Sequence, residues 1–366
     1  MPMKTKLFVL YGGKSVEHDI SLKTALTVLQ SIDRDRFDVY PIYITREGIW
    51  CHRGRLVEHV RGIPDLILPV DPDLANPARS LGTLSAKLFG AGGKQVALPL
   101  LHGSNGEDGT VQGLLELLDV PYVGNGVLSS ALALDKAAAK AVIAHAGIPQ
   151  AEYLALRQTD WLEAGEEAIR RIEETLGYPC YVKPASLGSS IGISRCEDRA
   201  RLKAAISEAY RYDRKIVVER EIAGREIQVA VRGNERAQAS VPGEFIHEQA
   251  FFDYHEKYEA GRLVMSIPAE LPEETAAAVR EQAIRAYEAL GCAGLARVDF
   301  FLDQTGRLYL NEINTLPGFT AFSMYPIMWE RTDGTRYAAL IELLIDYAFT
   351  RHADKQSIHY DKEAVR

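Results

Sequence analysis

Apolar residues along the chain keep two rhythms. LFVLYG (7–12) and FDVYPIYI (37–44) are apolar runs of strand length, and between them DISLKTALTVLQSI (19–32) carries leucines at helical spacing. VALPLLHG (96–103) reads as another buried strand, followed by polar GSNGEDGT and the helix VQGLLELL (111–118). Strands separated by helices predict a parallel sheet covered on both faces, with ligands at the carboxyl ends of its strands. GGKSVE and LHGSNGEDG both fall at such ends. Residues 51–95 lose the rhythm, are rich in Gly and Pro, and read as a surface insertion with a helix or two.

A second region begins after PYVGNG. LSSALALDKAAAKAVIAHAG (128–147) predicts one Ala-rich helix stopped by Gly147 and Pro149. Helices are expected at 160–177 and 197–211, and strands at PCYVKPA, KIVVEREI and GREIQVAVRG. Pro272 and Gly291 bracket a further helix, and LARVDFFLDQTGRLYLNEINTLPG reads as a β-hairpin. The last dozen residues are polar, and no repeats or low-complexity tracts occur.

Composition narrows the class. At 366 residues the chain is long enough for two or three domains, and 47% hydrophobic with 25% charged residues is ordinary for a globular protein. A formal charge of −8 and the lack of a basic run argue against a nucleic-acid surface. The chain enters a strand with no signal peptide, and no apolar stretch approaches bilayer length, so a cytoplasmic, non-membrane protein is expected. Cys51, Cys180, Cys196 and Cys292 form no metal pattern and read as free thiols.

GKS at 13–15 resembles the tail of a P-loop, but the first P-loop glycine would fall at Phe8, inside the strand. Glu17 and Asp19 would also repel a triphosphate. This turn suits a cation such as an ammonium, or is a plain βα turn with solvated charges. Phosphate fits YVKPASLGSSIGIS (181–194) better. Small residues let backbone N–H groups approach phosphate oxygens, Lys183 adds charge, and Lys136 is a second cation. A plain hairpin turn is the bland alternative.

In RVDFFLDQTGRLYLNEIN, alternation places Arg297 with Asp299 on one strand face, and Glu312 with Asn314 on the next, continuing the face of Leu308 and Leu310. Two carboxylates and a carboxamide suit Mg²⁺, whereas an Arg–Glu cross-strand pair is the structural alternative. Glu219 and Glu226 follow an apolar strand whose backbone could meet an adenine edge. EQAFFDYHEKYEAG (248–261) is either a lid or a loop packed by its own rings.

In this order, Lys136, the 181–194 loop, the 217–226 segment and the D-x12-E-x-N hairpin resemble an ATP-grasp ligase. GGKSVEHDIS, LHGSNGEDGTVQGLLELLDVPYVGNG, LDKAAAK, FFDYHEKY and NEINTLPGFT narrow the likeness to the D-alanine–D-alanine ligase family, from residue 11 to about 326. The resemblance implies an α/β fold with an α+β C-terminal part, with ATP between two antiparallel sheets. It implies an N-terminal α/β domain (1–124) with the first D-alanine site and a homodimer contact. A central ATP-grasp domain (125–224) and a C-terminal one (225–366) with lid and metal site would follow.

By the same likeness Lys136 and Lys183 hold the phosphates, and Gly188, Ser189 and Ser190 cover them. Glu219 and Ile222 flank adenine, and Glu226 takes the ribose. Asp299, Glu312 and Asn314 bind two Mg²⁺ ions, with Mn²⁺ a possible substitute. Glu17 receives the ammonium of the first D-alanine, with His102 nearby, while Lys257 and Ser323 hold the carboxylate of the second. Glu17, Ser189 and Tyr258 form a link to the lid, and Arg297 with the Gly318 N–H stabilises an oxyanion. Tyr258 favours a dipeptide product over D-alanyl-D-lactate. Another ATP-grasp carboxylate–amine ligase is the nearest alternative; a non-catalytic nucleotide binder would have broken metal or phosphate positions. A dinucleotide oxidoreductase would need the missing G-x-G-x-x-G.

Overall fold

The computed structural model describes residues 4–246 and 264–358. Strands β1 (Thr5–Gly12), β2 (Phe37–Ile44), β3 (Trp50–His52) and β4 (Gln95–Pro99) form the first sheet, in the order β3-β2-β1-β4. β1 pairs parallel with β2 and β4, as expected, but β3 adds an antiparallel edge inside the stretch read as an insertion. Helices α1 (His18–Ser31), α2 (Pro77–Lys87) and α3 (Thr110–Leu117) flank this sheet. The continuous apolar run of β1 follows from burial on both faces. Leu7, Val9 and Tyr11 pack with Leu22, Ala25 and Val28 of α1, while Phe8 and Leu10 pack with Leu84 of α2 and Leu115 of α3.

The stretch read as one helix over 128–147 is two, α4 (Val127–Leu134) and α5 (Lys136–His145). Asp135 breaks it by taking an extended conformation and turning its carboxylate onto the N–H groups of Ala137 and Ala138, each at 3.1 Å. An Asp cap that satisfies orphan amides outcompetes a continuous Ala-rich helix here. Lys136 thereby becomes the first residue of α5.

Strands β5 (Tyr153–Arg157), β6 (Cys180–Pro184), β7 (Ser194–Cys196) and β8 (Lys215–Arg220) form a second, antiparallel sheet, in the order β5-β8-β6-β7. Helices α6 (Gln158–Thr175) and α7 (Arg199–Ala209) cover it, burying Ile169, Ile172, Leu202 and Ile206 against Val182 and Val218. Strands β9 (Gly224–Gly233), β10 (Gln238–Ala239), β11 (Gly243–Ile246), β12 (Val264–Ser266), β13 (Gly294–Asp303) and β14 (Leu308–Asn314) form the third sheet, also antiparallel. Helix α8 (Glu273–Ala289) packs Val279, Ala283 and Tyr287 on it.

Besides the short strands β5, β7, β10, β11 and β12, the reading of the sequence lacks two helices, α9 (Met324–Asp333) and α10 (Tyr337–Gln356). Their Trp329, Leu340, Ile341 and Leu344 share one core with Leu7, Val9 and Ala230, so they join the first sheet to the third. Among the described residues no helix is long and apolar enough to cross a membrane, and all four cysteines are buried and free.

Candidate active site

The first turn is shaped by close approach. Gly12 and Gly13 both adopt φ above +90° or at it, and a Cβ on Gly12 would sit 2.2 Å from the Ile44 carbonyl oxygen. Only glycine fits such a position without strain. The chain then enters α1 at Glu17, whose carboxylate does not cap the helix. It accepts instead a hydrogen bond from the Ser189 hydroxyl, 172 residues away. Glu17 is buried, and burial pushes its carboxyl up, opposed by the Ser189 bond and the charge of Lys136.

Two residues of the LHGSNGEDG stretch close over Glu17. Gly103 has φ +73°, and a Cβ there would meet Ser15 Oγ at 2.4 Å and Glu17 Oε2 at 2.5 Å. Buried Glu107 accepts the Gly103 N–H at 2.7 Å and bonds the Leu316 backbone. His102 meets Thr24 Oγ1 at 3.1 Å and also bonds the Leu316 backbone, and burial holds its imidazole down to about 4, hence neutral. Asn125 donates to the carbonyls of Leu295, at 2.6 Å, and Thr315, at 2.9 Å. These bonds fasten the first sheet's loops to the 315–318 segment.

Burial, then the neighbouring charge of Glu17, pushes the Glu107 carboxyl up to about 8. Below its ordinary value of 4.5 both folded and unfolded chains hold this proton, but between 4.5 and about 8 only the folded chain does. The stability so contributed is lost as pH rises through that interval. The melting temperature of the wild type minus that of Glu107→Gln should fall between about pH 5 and about pH 8. A constant difference would mean that Glu107 is already ionised in the fold.

The cations come from α5 and β6. The Lys136 N–H donates to the Ala185 carbonyl at 2.8 Å, and its Nζ donates to the Leu187 carbonyl at 2.8 Å and lies 4.0 Å from Glu312 Oε2. Lys183 Nζ contacts Glu219 Oε2 at 2.9 Å and Asn311 Oδ1 at 3.4 Å. One turn after Lys136, Lys140 Nζ stands 3.4 Å from the other oxygen, Glu219 Oε1. Burial works to raise the Glu219 carboxyl, yet Lys183 and Lys140 outweigh it and hold it at about 2. Glu219 thus carries a buried ion-pair network, while Ile222 is half-buried and Glu226 exposed on β9.

The loop between β6 and β7 carries Gly188, Ser189 and Ser190. Ser189 and Ser190 adopt φ of +55° and +57°, a region that costs a side-chain-bearing residue on the order of 1 kcal/mol. Gly188 lies against Glu17: a Cβ there would sit 3.4 Å from Oε2. The strained loop is therefore held directly above the first turn.

In the hairpin, Arg297 stands opposite Asn314 and Asp299 opposite Glu312, and Arg297 grips both Asp299 oxygens, at 2.8 and 2.7 Å. The expectation that Glu312 and Asn314 continue the face of Leu308 and Leu310 is corrected by a β-bulge between the Asp299 and Phe300 pairs. Asn311 is the extra residue, so the sides exchange and the core face runs Leu308, Leu310, Ile313. Glu312 and Asn314 therefore leave the core, and Asn311 reaches Lys183.

The donor set fits a hard divalent cation. Two carboxylates and a carboxamide lie side by side on paired strands, and Mg²⁺ commonly takes one or two protein carboxylates and completes its shell with phosphate and water. Among the described residues no three His, Cys, Asp or Glu side chains gather as an all-protein cage.

Ser323 precedes α9, and its Oγ receives the Thr320 N–H at 3.0 Å; a Cβ on Gly318 would sit 3.3 Å from it. Lys257, Tyr258 and the 248–261 stretch lie outside the described residues. Lys140, Glu107 and Asn311 were not singled out from sequence. The repeat of lysine at i+4 in LDKAAAK signalled the first, and the first acid of HGSNGEDG the next. Asn311 needed the bulge, which alternation does not reveal.

Comparisons with known proteins give the family and the fold. The family model described as D-ala D-ala ligase N-terminus matches residues 6–125, and that described as D-ala D-ala ligase C-terminus matches residues 142–346. The chain is 50% identical to a D-alanine–D-alanine ligase of Geobacillus kaustophilus, covering 98% of both chains. The solved D-alanine-D-alanine ligase of Coxiella burnetii superposes with TM-score 0.78 at 32% identity, covering 96% of this chain and 97% of that one. The VanG D-Ala:D-Ser ligase of Enterococcus faecalis gives TM-score 0.79 at 33% identity, covering 94% and 100%. The three sheets make the ATP-grasp architecture expected from the sequence. With its turn, its lysines and its acidic hairpin carried on that frame over nearly the full length, this chain belongs to the D-alanine–D-alanine ligase family.

Proposed function

We propose that the chain ligates two D-alanines to D-alanyl-D-alanine with cleavage of ATP to ADP and phosphate, supplying a peptidoglycan precursor in the cytoplasm. A carboxylate does not acylate an amine at neutral pH, because oxide is too poor a leaving group. The first D-alanine carboxylate therefore attacks the γ-phosphate of ATP, and the acyl phosphate carries phosphate as a competent leaving group. The second D-alanine's amine attacks the acyl carbon, gives up its proton, and phosphate departs.

The residues divide this work. Glu17 holds the first ammonium, beside His102. Lys136 and Lys183 hold the phosphates under Gly188, Ser189 and Ser190. Glu219 and Ile222 border adenine and Glu226 the ribose. Asp299, Glu312 and Asn314 would hold two Mg²⁺ ions, or Mn²⁺ in their place, which offset the negative charge of the triphosphate when bound. Arg297 and the Gly318 N–H stabilise the oxyanion, and Ser323 with Lys257 holds the second carboxylate. Tyr258, with Glu17 and Ser189, would help exclude water from the acyl phosphate. The domains divide at 1–124, 125–224 and 225–366, with a homodimer formed through the first and no nucleic-acid or membrane partner.

One observation carries the reading: Lys136 and Lys183, from two elements, approach Glu312 and Asn311 of the hairpin from one side. The test is phosphate release from Mg-ATP with D-alanine, L-alanine, or D-alanine plus D-lactate or D-serine. D-alanine alone should support release, with D-alanyl-D-alanine as product. Release with L-alanine alone would overturn the assignment, and a mixed product would move the second substrate.

A further inference from the structure

Lys140 is 3% exposed and stands in the same ion network as the phosphate lysine. It shares Glu219 with Lys183, one oxygen each, at 3.4 and 2.9 Å, and its ammonium lies 5.3 Å from the centre of the Tyr153 ring. A cavity lined by Lys136, Lys140, Asn311 and Glu312 opens beside it, between α5 and β14. Glu219 is thus one buried carboxylate between two buried lysines. The three carry a net positive charge, which a buried group tolerates only if an anion balances it.

We propose that Lys140 is a positioning residue for the triphosphate: by sharing Glu219 with Lys183 it leaves the buried cluster with a net positive charge. Resting on the ligase reading, this gives the charge of Lys183 to the phosphates rather than to a closed pair. Without Lys140 the cluster's net charge falls to zero, and Glu219 is free to turn both oxygens onto Lys183.

Lys140→Met removes the charge and keeps the length; Lys140→Gln serves where the methionine variant does not fold, and Lys140→Arg restores a cation. The methionine variant should raise KM for ATP and weaken ADP binding by about tenfold or more, because only charge–charge attraction is lost. KM for D-alanine should stay within about twofold of the wild type, and arginine should recover most of the loss. An active wild type with an unchanged KM for ATP in Lys140→Met overturns this inference alone. Equal losses for ATP and D-alanine also overturn it, marking Lys140 as structural. A wild type that releases no phosphate with D-alanine defeats the ligase reading itself.

Discussion

Glu312→Gln is expected to lower turnover by about a thousandfold while the melting temperature moves by roughly 2 °C or less. The two effects separate because of the bulge at Asn311. It turns Glu312 off the core face, so strand β14 is anchored by Leu308, Leu310 and Ile313, none of which the substitution touches. The glutamine is nearly isosteric and can still hydrogen-bond at a side chain that is 39% exposed. What it loses is a full negative charge opposite Asp299, and with it the pairing of two carboxylates that suits a divalent cation beside a triphosphate. Its contact with Lys136, at 4.0 Å, is too long and too solvated to matter for stability. Steady-state kinetics beside a thermal melt decide the matter. A variant that unfolds would make the carboxylate structural, and one that retains turnover would remove it from the site.

Gly103→Ala should act through the amino-acid subsite. The added methyl carbon would lie 2.4 Å from Ser15 Oγ and 2.5 Å from Glu17 Oε2, distances no real contact sustains, and φ of +73° is itself unfavourable to alanine. Glu17 must move, and its bond from Ser189 must lengthen or break. The expected result is a rise in KM for D-alanine of about thirtyfold or more, since a charge-assisted contact to ammonium is lost. Nucleotide affinity should change little, because Lys136 and Lys183 are held by other partners. An unchanged KM for D-alanine would show that the Glu17 carboxylate does not receive the substrate.

Much of this site was legible in the chain because its parts are local. The Gly-Gly turn before α1, the Gly-Ser loop after Lys183, and the spacing of Asp299, Glu312 and Asn314 are all visible without knowing what packs where. The elements that failed are those decided by competition or distance. Asp135 splits a run whose alanines all favour helix, because a side-chain cap satisfies amides that composition does not count. The bulge at Asn311 leaves the hydrophobic pattern looking regular while exchanging the strand's faces. Glu107 and Lys140 acquire their importance only from burial beside charges brought in from other elements. Helices α9 and α10 bury their apolar residues across two sheets, a destination invisible in their own periodicity.

The account stands on one convergence, tested most directly by a crystal structure with Mg²⁺ and a non-hydrolysable ATP analogue. Lys136 and Lys183 should contact the triphosphate from one side, with Asp299, Glu312 and Asn314 on the metal ions at the other. A nucleotide bound elsewhere, or a hairpin whose acids turn away from the phosphates, would contradict it.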